Sequence, residues 1–310
     1  MTRQDARGFA LVAVLWILVV VGAVGVAFQA GARAERLAVA NGRAASRARW
    51  AARAALARSV GAIDDALQGG RAAPVFRTTS DTVLPPLEFS WNDVTVRALM
   101  LDARARVSVN LADGRELQRL FTALGLGVNR SAALADAIID WRDPDSLRRP
   151  RGAEAREYLA LRPPSRPADA PFETLGQLRQ VFGMSPEIYR RVAPYLSVVG
   201  DDRVNVNVAP LPVLMTLPGI GPAAAAAIVR RRQTRAYRNA FEVSASLPRD
   251  AREMIQAEMD QFLDRVAFGP RDLEIVATAV VEASPVGAQL WALVHLSGGA
   301  AWSVERVVER

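Results

Sequence analysis

Five carboxylates crowd one short stretch of this chain: Asp140, Asp143, Asp145, Glu154 and Glu157, within DWRDPDSLRRPRGAEAREYLALRPPSRPADAP. Carboxylates one to three residues apart on a loop can converge on one hard cation, and calcium favours about six to eight such oxygen ligands. The segment is not an EF-hand, because its glycine and closing glutamate are not at the required positions. A second reading competes. Arg142, Arg148, Arg149, Arg151 and Arg156 lie among the acids and can neutralise them, leaving a solvated loop. The residue types alone leave the two readings open.

A second pattern, LPGIGPAAAAAIVRRR at residues 217–232, is a helix-hairpin-helix signature. Gly219 and Gly221 allow a tight turn, and the following helix opens with exposed N–H groups. With Arg230, Arg231 and Arg232 nearby, such a turn can hold a DNA phosphate. Two facts favour the plainer reading, a compact way to pair two helices: the chain beyond its stem is close to neutral, and alanines follow Pro222 where a DNA binder gains from basic residues. Catalysis finds little support. There is no cysteine, the one histidine (His295) sits in a valine-leucine strand pattern, and no phosphate loop or dinucleotide fingerprint occurs. The chain is expected not to be an enzyme.

These residues need elements to position them. Gly8 to Phe28 read GFALVAVLWILVVVGAVGVAF, an apolar run covering about 30 Å as a helix, the thickness of a bilayer core. The run exceeds the roughly 7–15-residue core of a cleaved secretory signal. From Gln29 to Leu67 alanine, arginine and leucine dominate without proline, so one helix can continue to the pair Gly69-Gly70. The net charge of +7 is concentrated there: seven arginines between 33 and 58 stand against Glu35 alone. That excess suits a helix face beside lipid headgroups as well as an acidic partner.

Beyond a proline-punctuated stretch, Leu87–Trp91 and Val94–Val109 alternate as strands do. Leu273–Glu282, Ala288–Leu296 and Ala301–Val308 repeat that character near the end. Strands early and late with helices between them predict an α+β fold with an insertion. The middle holds an internal repeat. Val109-Asn110-Leu111 is echoed by Val206-Asn207-Val208, 97 positions on, and Phe172-Glu173 by Phe241-Glu242, 69 positions on. The first copy therefore carries about 28 extra residues, the acid-rich segment, which has no evident core of its own. Asp113 with Glu116 predicts a capping box, and Ser131 an N-cap.

A basic leader ending at Gly8, with Phe9 opening the apolar helix, resembles a prepilin processing site, where a peptidase cuts after the glycine and methylates the new terminal phenylalanine. Together with the anchors SVNL and NVNVAPLPVLMTLPGIG, the stretch DWRDPD with GAEAREYL, and PFETLGQLRQVFGMSPEIYRRVAPYLSVVG, the chain resembles the type II secretion system protein K family, the large minor pseudopilins. The resemblance implies a leader at 1–8, a spine helix at 9–69 whose first part (9–28) crosses the inner membrane, and an antiparallel pseudopilin sheet from 70–109 and 270–310. It also implies an inserted all-α domain at 110–269, built from helix-hairpin-helix-like repeats at 110–200 and 205–269. It points to calcium at Asp140, Asp143, Asp145, Glu154 and Glu157, with Ala155 and Arg156 standing where relatives tend to be more acidic. The expected partners are I- and J-type minor pseudopilins, the major pseudopilin, the prepilin peptidase and an exported protein, rather than nucleic acid. The expected place is the tip of a periplasmic pseudopilus, with the amino end cytoplasmic before processing. Ala13 replaces the glutamate that major pseudopilins keep at the fifth mature position. A membrane-anchored DNA receptor and a type IV pilus minor subunit are the alternatives.

Overall fold

The computed structural model describes residues 3–68, 84–297 and 301–309, with side chains over 14–65, 84–296 and 302–309. Helix α1 (Arg3–Gln68) runs unbroken for 66 residues, about 100 Å. No residue in its interior breaks the ladder, because alanine, leucine and arginine are strong helix formers and proline is missing. Gly69 and Gly70, the expected stop, lie outside the described residues.

The two halves of α1 face different surroundings. From Val14 to Ala30 every described side chain is exposed, including Trp16 and Phe28. Among the described residues this is the one helix long and apolar enough to cross a membrane. Farther along, Ala44, Ala48, Ala51, Ala52, Ala55, Val60 and Ile63 are buried, spaced as one face of a helix. Small side chains let that face lie close on a five-stranded antiparallel sheet, whose valines and alanines form a common core with it.

The sheet order is β1 (Leu87–Trp91), β2 (Val94–Asp102), β7 (Asp272–Val281), β8 (Gly287–Ser297) and β9 (Ala301–Glu309). β2 pairs with β7 along its whole length, Val94 opposite Val281 and Asp102 opposite Leu273. The chain between them therefore leaves and re-enters the sheet at one end. The strand expected to reach Val109 stops at Asp102, because that carboxylate accepts the Arg104 N–H at 2.9 Å and starts a 3-10 turn over Ala103–Ala105. Residues 103–109 thus belong to the insertion.

The inserted domain is all-helical apart from two short parallel pairings, and one apolar core serves both copies. In the first copy β3 (Val107–Ser108) pairs with β4 (Leu196–Ser197), enclosing α2 (Gly114–Ala123), α3 (Val128–Arg142), α4 (Ala155–Leu159) and α5 (Pro186–Val192). In the second, β5 (Val204–Asn205) pairs with β6 (Val266–Ala267) around α6 (Leu211–Leu214), α7 (Pro222–Arg232), α8 (Ala240–Ala245), α9 (Arg249–Ala257) and α10 (Met259–Arg265). Mixed helix and sheet with a helical insertion is the fold class read from the sequence.

The register of the repeat differs from the sequence echo. Asn110 donates to the Phe172 and Val198 carbonyls and accepts the Phe172 N–H. Asn207 makes the same three bonds to Tyr237 and Phe268. Tyr237, rather than Phe241, is therefore the counterpart of Phe172. Phe241 is 80% exposed and shares no role with it. The shift becomes 65 positions, which lengthens the insertion in the first copy to 32 residues. Two expected caps also change. Ser131 lies buried inside α3, donating to the Leu126 carbonyl at 3.2 Å, and Gly127 is the N-cap. Asp113 does accept the Glu116 N–H at 2.7 Å, but the Glu116 carboxylate is paired with Arg265, so the reciprocal bond of a capping box is not made.

Polar side chains fasten the insertion to the sheet. Arg104 grips Asp201 and donates to the Gly269 carbonyl at 3.0 Å, Asn205 donates to Asp102 at 2.7 Å, and Arg106 and the Trp291 indole both bond Glu274. Asp102 is fully buried, and burial pushes its pKa up to about 6 despite the Asn205 and Arg104 hydrogen bonds that oppose the shift.

Candidate functional site

The acid-rich insertion has an anchor that composition concealed. Tyr158 is fully buried, its ring 5.5 Å from Trp141 and 6.1 Å from Phe182, while Phe172 stacks on Trp141 at 6.1 Å. The Tyr158 hydroxyl also accepts the Phe182 N–H at 2.8 Å. One aromatic therefore ties the excursion down, and the loop from Asp143 to Glu154 closes between the end of α3 and the start of α4.

Within that loop Asp143, Asp145 and Glu154 each present a carboxylate oxygen within 4.8 Å of the others. Asp143 Oδ1 and Glu154 Oε1 are buried without a hydrogen-bond partner. Burial, followed by repulsion from Asp140, Asp143, Asp169 and Asp145, pushes the Glu154 pKa up to about 7. Three acids lie this close, two of them with an oxygen that has no partner, and Arg149 is ion-paired to Asp143 alone among them. A hard, oxygen-loving cation such as calcium fits this donor set.

The other two expected ligands are engaged elsewhere. Asp140 is completely buried on α3 and accepts from the Arg149 backbone N–H (3.2 Å) and from its guanidinium (3.1 Å). Glu157 accepts the Glu154 N–H at 3.0 Å at the start of α4. The structure thus brings three of the five acids together and gives the remaining two supporting bonds.

The hairpin at 217–232 is built as the glycines require. Gly219 has φ +72°, and a Cβ there meets the Ile255 backbone nitrogen at 2.8 Å. Gly221 caps α7, with Pro222 in its first turn. The arginines do not serve the turn, which corrects the expectation that they lie near a phosphate held there. Arg230 to Arg232 stand at the opposite end of α7, about 12 Å or more along its axis. Arg231 bonds the Arg235 carbonyl and covers the Tyr237 ring, and Arg232 is buried, donating to the Val206 (2.9 Å) and Ala209 (2.7 Å) carbonyls.

The first copy contains the same device. Gly125 has φ +83°, Gly127 caps α3, and Arg142 at the helix end donates to the Val109 and Ala112 carbonyls as Arg232 does to Val206 and Ala209. Gly125-Leu126-Gly127 mirrors Gly219-Ile220-Gly221, a signal present in the sequence but without the flanking prolines that mark the second hairpin. Gly8 and Phe9 lie within α1, where side chains are outside the described residues. His295, read from the sequence as lying in a strand, bonds Asp272 across β8 and β7 at 2.6 Å.

Comparison with known proteins agrees with this architecture. Residues 95–201 match the family "Type II secretion system (T2SS), protein K", and residues 199–242 match a helix-hairpin-helix motif. The type II secretion system protein K of Pseudomonas aeruginosa is 28% identical over 172 residues, covering 53% of this chain and 51% of that protein. The protein of the same name from Aeromonas hydrophila is 40% identical over 76 residues, 24% of this chain and 23% of its own. The matched part thus spans about half, or less, of these relatives. A chain of the GspK-GspI-GspJ complex from the enterotoxigenic Escherichia coli type 2 secretion system shares the fold, with TM-score 0.68 at 15% identity over 86% of this chain and 96% of that one. The matched domain takes in β2 from its second residue and the first hairpin repeat, so over these residues the chain is similar to type II secretion system protein K, and it shares the fold of the solved complex's chain.

Proposed function

We propose that this chain is a non-enzymatic minor pseudopilin that caps, and helps to nucleate, the periplasmic pseudopilus of a type II secretion system. The observation that carries this reading is the two-sided use of α1: one face of its later part, from Ala44 to Ile63, is buried on the sheet, while Val14 to Ala30 stand with every side chain exposed. An apolar rod of that length requires a bilayer, and after extraction it requires sister helices along its flank. The solved neighbour is named as a complex of K, I and J subunits, which supports I- and J-type minor pseudopilins as partners here, with the major pseudopilin below. A head enlarged by the insertion cannot be stacked upon, which suits a tip. The amino end then lies in the cytoplasm before processing, the spine crosses the inner membrane once, and the head is periplasmic, where it can touch exported protein.

Prepilin peptidase is the proposed processing enzyme, cutting between Gly8 and Phe9, with methylation of Phe9. Intact-mass measurement after co-expression with the peptidase tests this. Loss of residues 1–8 is expected for the native chain and retention for Gly8→Val. An unprocessed native chain overturns the pseudopilin reading.

Calcium is the proposed cation of the acidic loop, held by Asp143, Asp145 and Glu154, with the remaining oxygens from backbone and water. When bound it supplies the positive charge that lets the three carboxylates stay ionised side by side. Melting curves of the full-length protein in detergent, with calcium and with chelator, are expected to separate. Coincident curves dismiss the ion.

A further inference from the structure

We infer that Arg149 is a positioning residue for the cation loop, with Asp140 as its anchor. This rests on the calcium reading and deepens it by dividing the acids into ligands and support. Asp140 has no exposed surface, and both of its oxygens face Arg149: the backbone N–H lies at 3.4 and 3.2 Å from them and the guanidinium at 3.1 Å from Oδ1. The far wall is closed by Gly152, where even a Cβ would stand 1.9 Å from Asp140 Oδ2. Both oxygens of that carboxylate are thus already engaged by Arg149.

The same guanidinium nitrogen reaches Asp143 Oδ2 at 2.6 Å. With one oxygen of Asp143 so held, the other, Oδ1, is the buried atom that has no partner, as is Glu154 Oε1 beside it. Arg149 thus bridges an immovable acid on α3 and a ligand acid at the head of the loop. The bridge fixes the rotation of the Asp143 carboxylate before any ion arrives. Residues that orient metal ligands in this way typically matter about 10–100-fold in affinity.

Removing Arg149 alone also removes a positive charge near the ion, which favours cation binding by Coulomb attraction and obscures the loss of orientation. The charge-balanced pair Asp140→Asn with Arg149→Gln avoids this, since one negative and one positive charge leave together. Calcium titration calorimetry on the full-length protein in detergent is the measurement, with melting in chelator as the check on folding. The double variant is expected to bind calcium about 10–100-fold more weakly than the native chain. Arg149→Lys keeps the charge, but its nitrogen ends one bond short of the Nη1 atom that bridges the two acids, so intermediate affinity with an unchanged chelator melting point is expected. Unchanged or tighter binding in the double variant overturns the positioning role. If that variant fails to fold, native affinity in Arg149→Lys does so instead. A native chain that takes no calcium at all removes the underlying cation reading, an outcome distinct from either.

Discussion

Glu154 holds its proton well above the range of a free glutamate because its carboxylate is buried among other acids. The folded state therefore favours the protonated form. That contribution to stability is complete below about pH 4.5 and is lost as pH rises towards about 7. In chelator the melting point is expected to fall across this window, and Glu154→Gln, which keeps the shape without the charge, is expected to flatten the fall. A melting series from pH 4 to 8 on both proteins checks this, and parallel curves defeat it. Asp102 follows the same sign with its value near 6, but it also fastens the insertion to the sheet. Asp102→Ala leaves the buried Asn205 amide and Arg104 N–H without their acceptor, at a cost of about 1–3 kcal/mol each where no water replaces it, measurable by urea unfolding of the head. At this scale the sequence showed which acids are crowded. It did not show that Asp140 and Glu157 take backbone and arginine bonds, because those partners are fixed by how the loop folds back on α3.

The two hairpins make the same turn with different tolerance. Gly219 needs both its positive φ and the space that Ile255 closes, so Gly219→Ala is expected to cost about 2–4 kcal/mol, combining left-handed strain with overpacking. Nothing lies within 4 Å of a Cβ at Gly125, so Gly125→Ala is expected to cost only the backbone share, about 1–2 kcal/mol. Equal losses in paired unfolding curves contradict this account. The helix–sheet seam is equally specific: Ala51 is fully buried where α1 lies on the strands, and Ala51→Leu is expected to cost about 1–3 kcal/mol by overpacking. The second hairpin was legible from its glycines and prolines. The first was not, because Gly125-Leu126-Gly127 stands 94 positions before its counterpart rather than 97, and no proline frames it.

At the scale of the whole molecule, a rod of about 100 Å carries one head at its far end, and the two are built on opposite rules. The apolar run of α1 and its alanine-rich continuation dictate a single helix in any surroundings, since backbone bonding and side-chain propensity are local. The valine alternation likewise dictates strands, and the repeated Val-Asn motif two similar halves. Tertiary structure alone decided which residues answer each other in the repeat and which acids meet. Those outcomes depend on contacts between residues far apart in the chain, such as Asn207 with Phe268 or Glu116 with Arg265, and no local spacing encodes them.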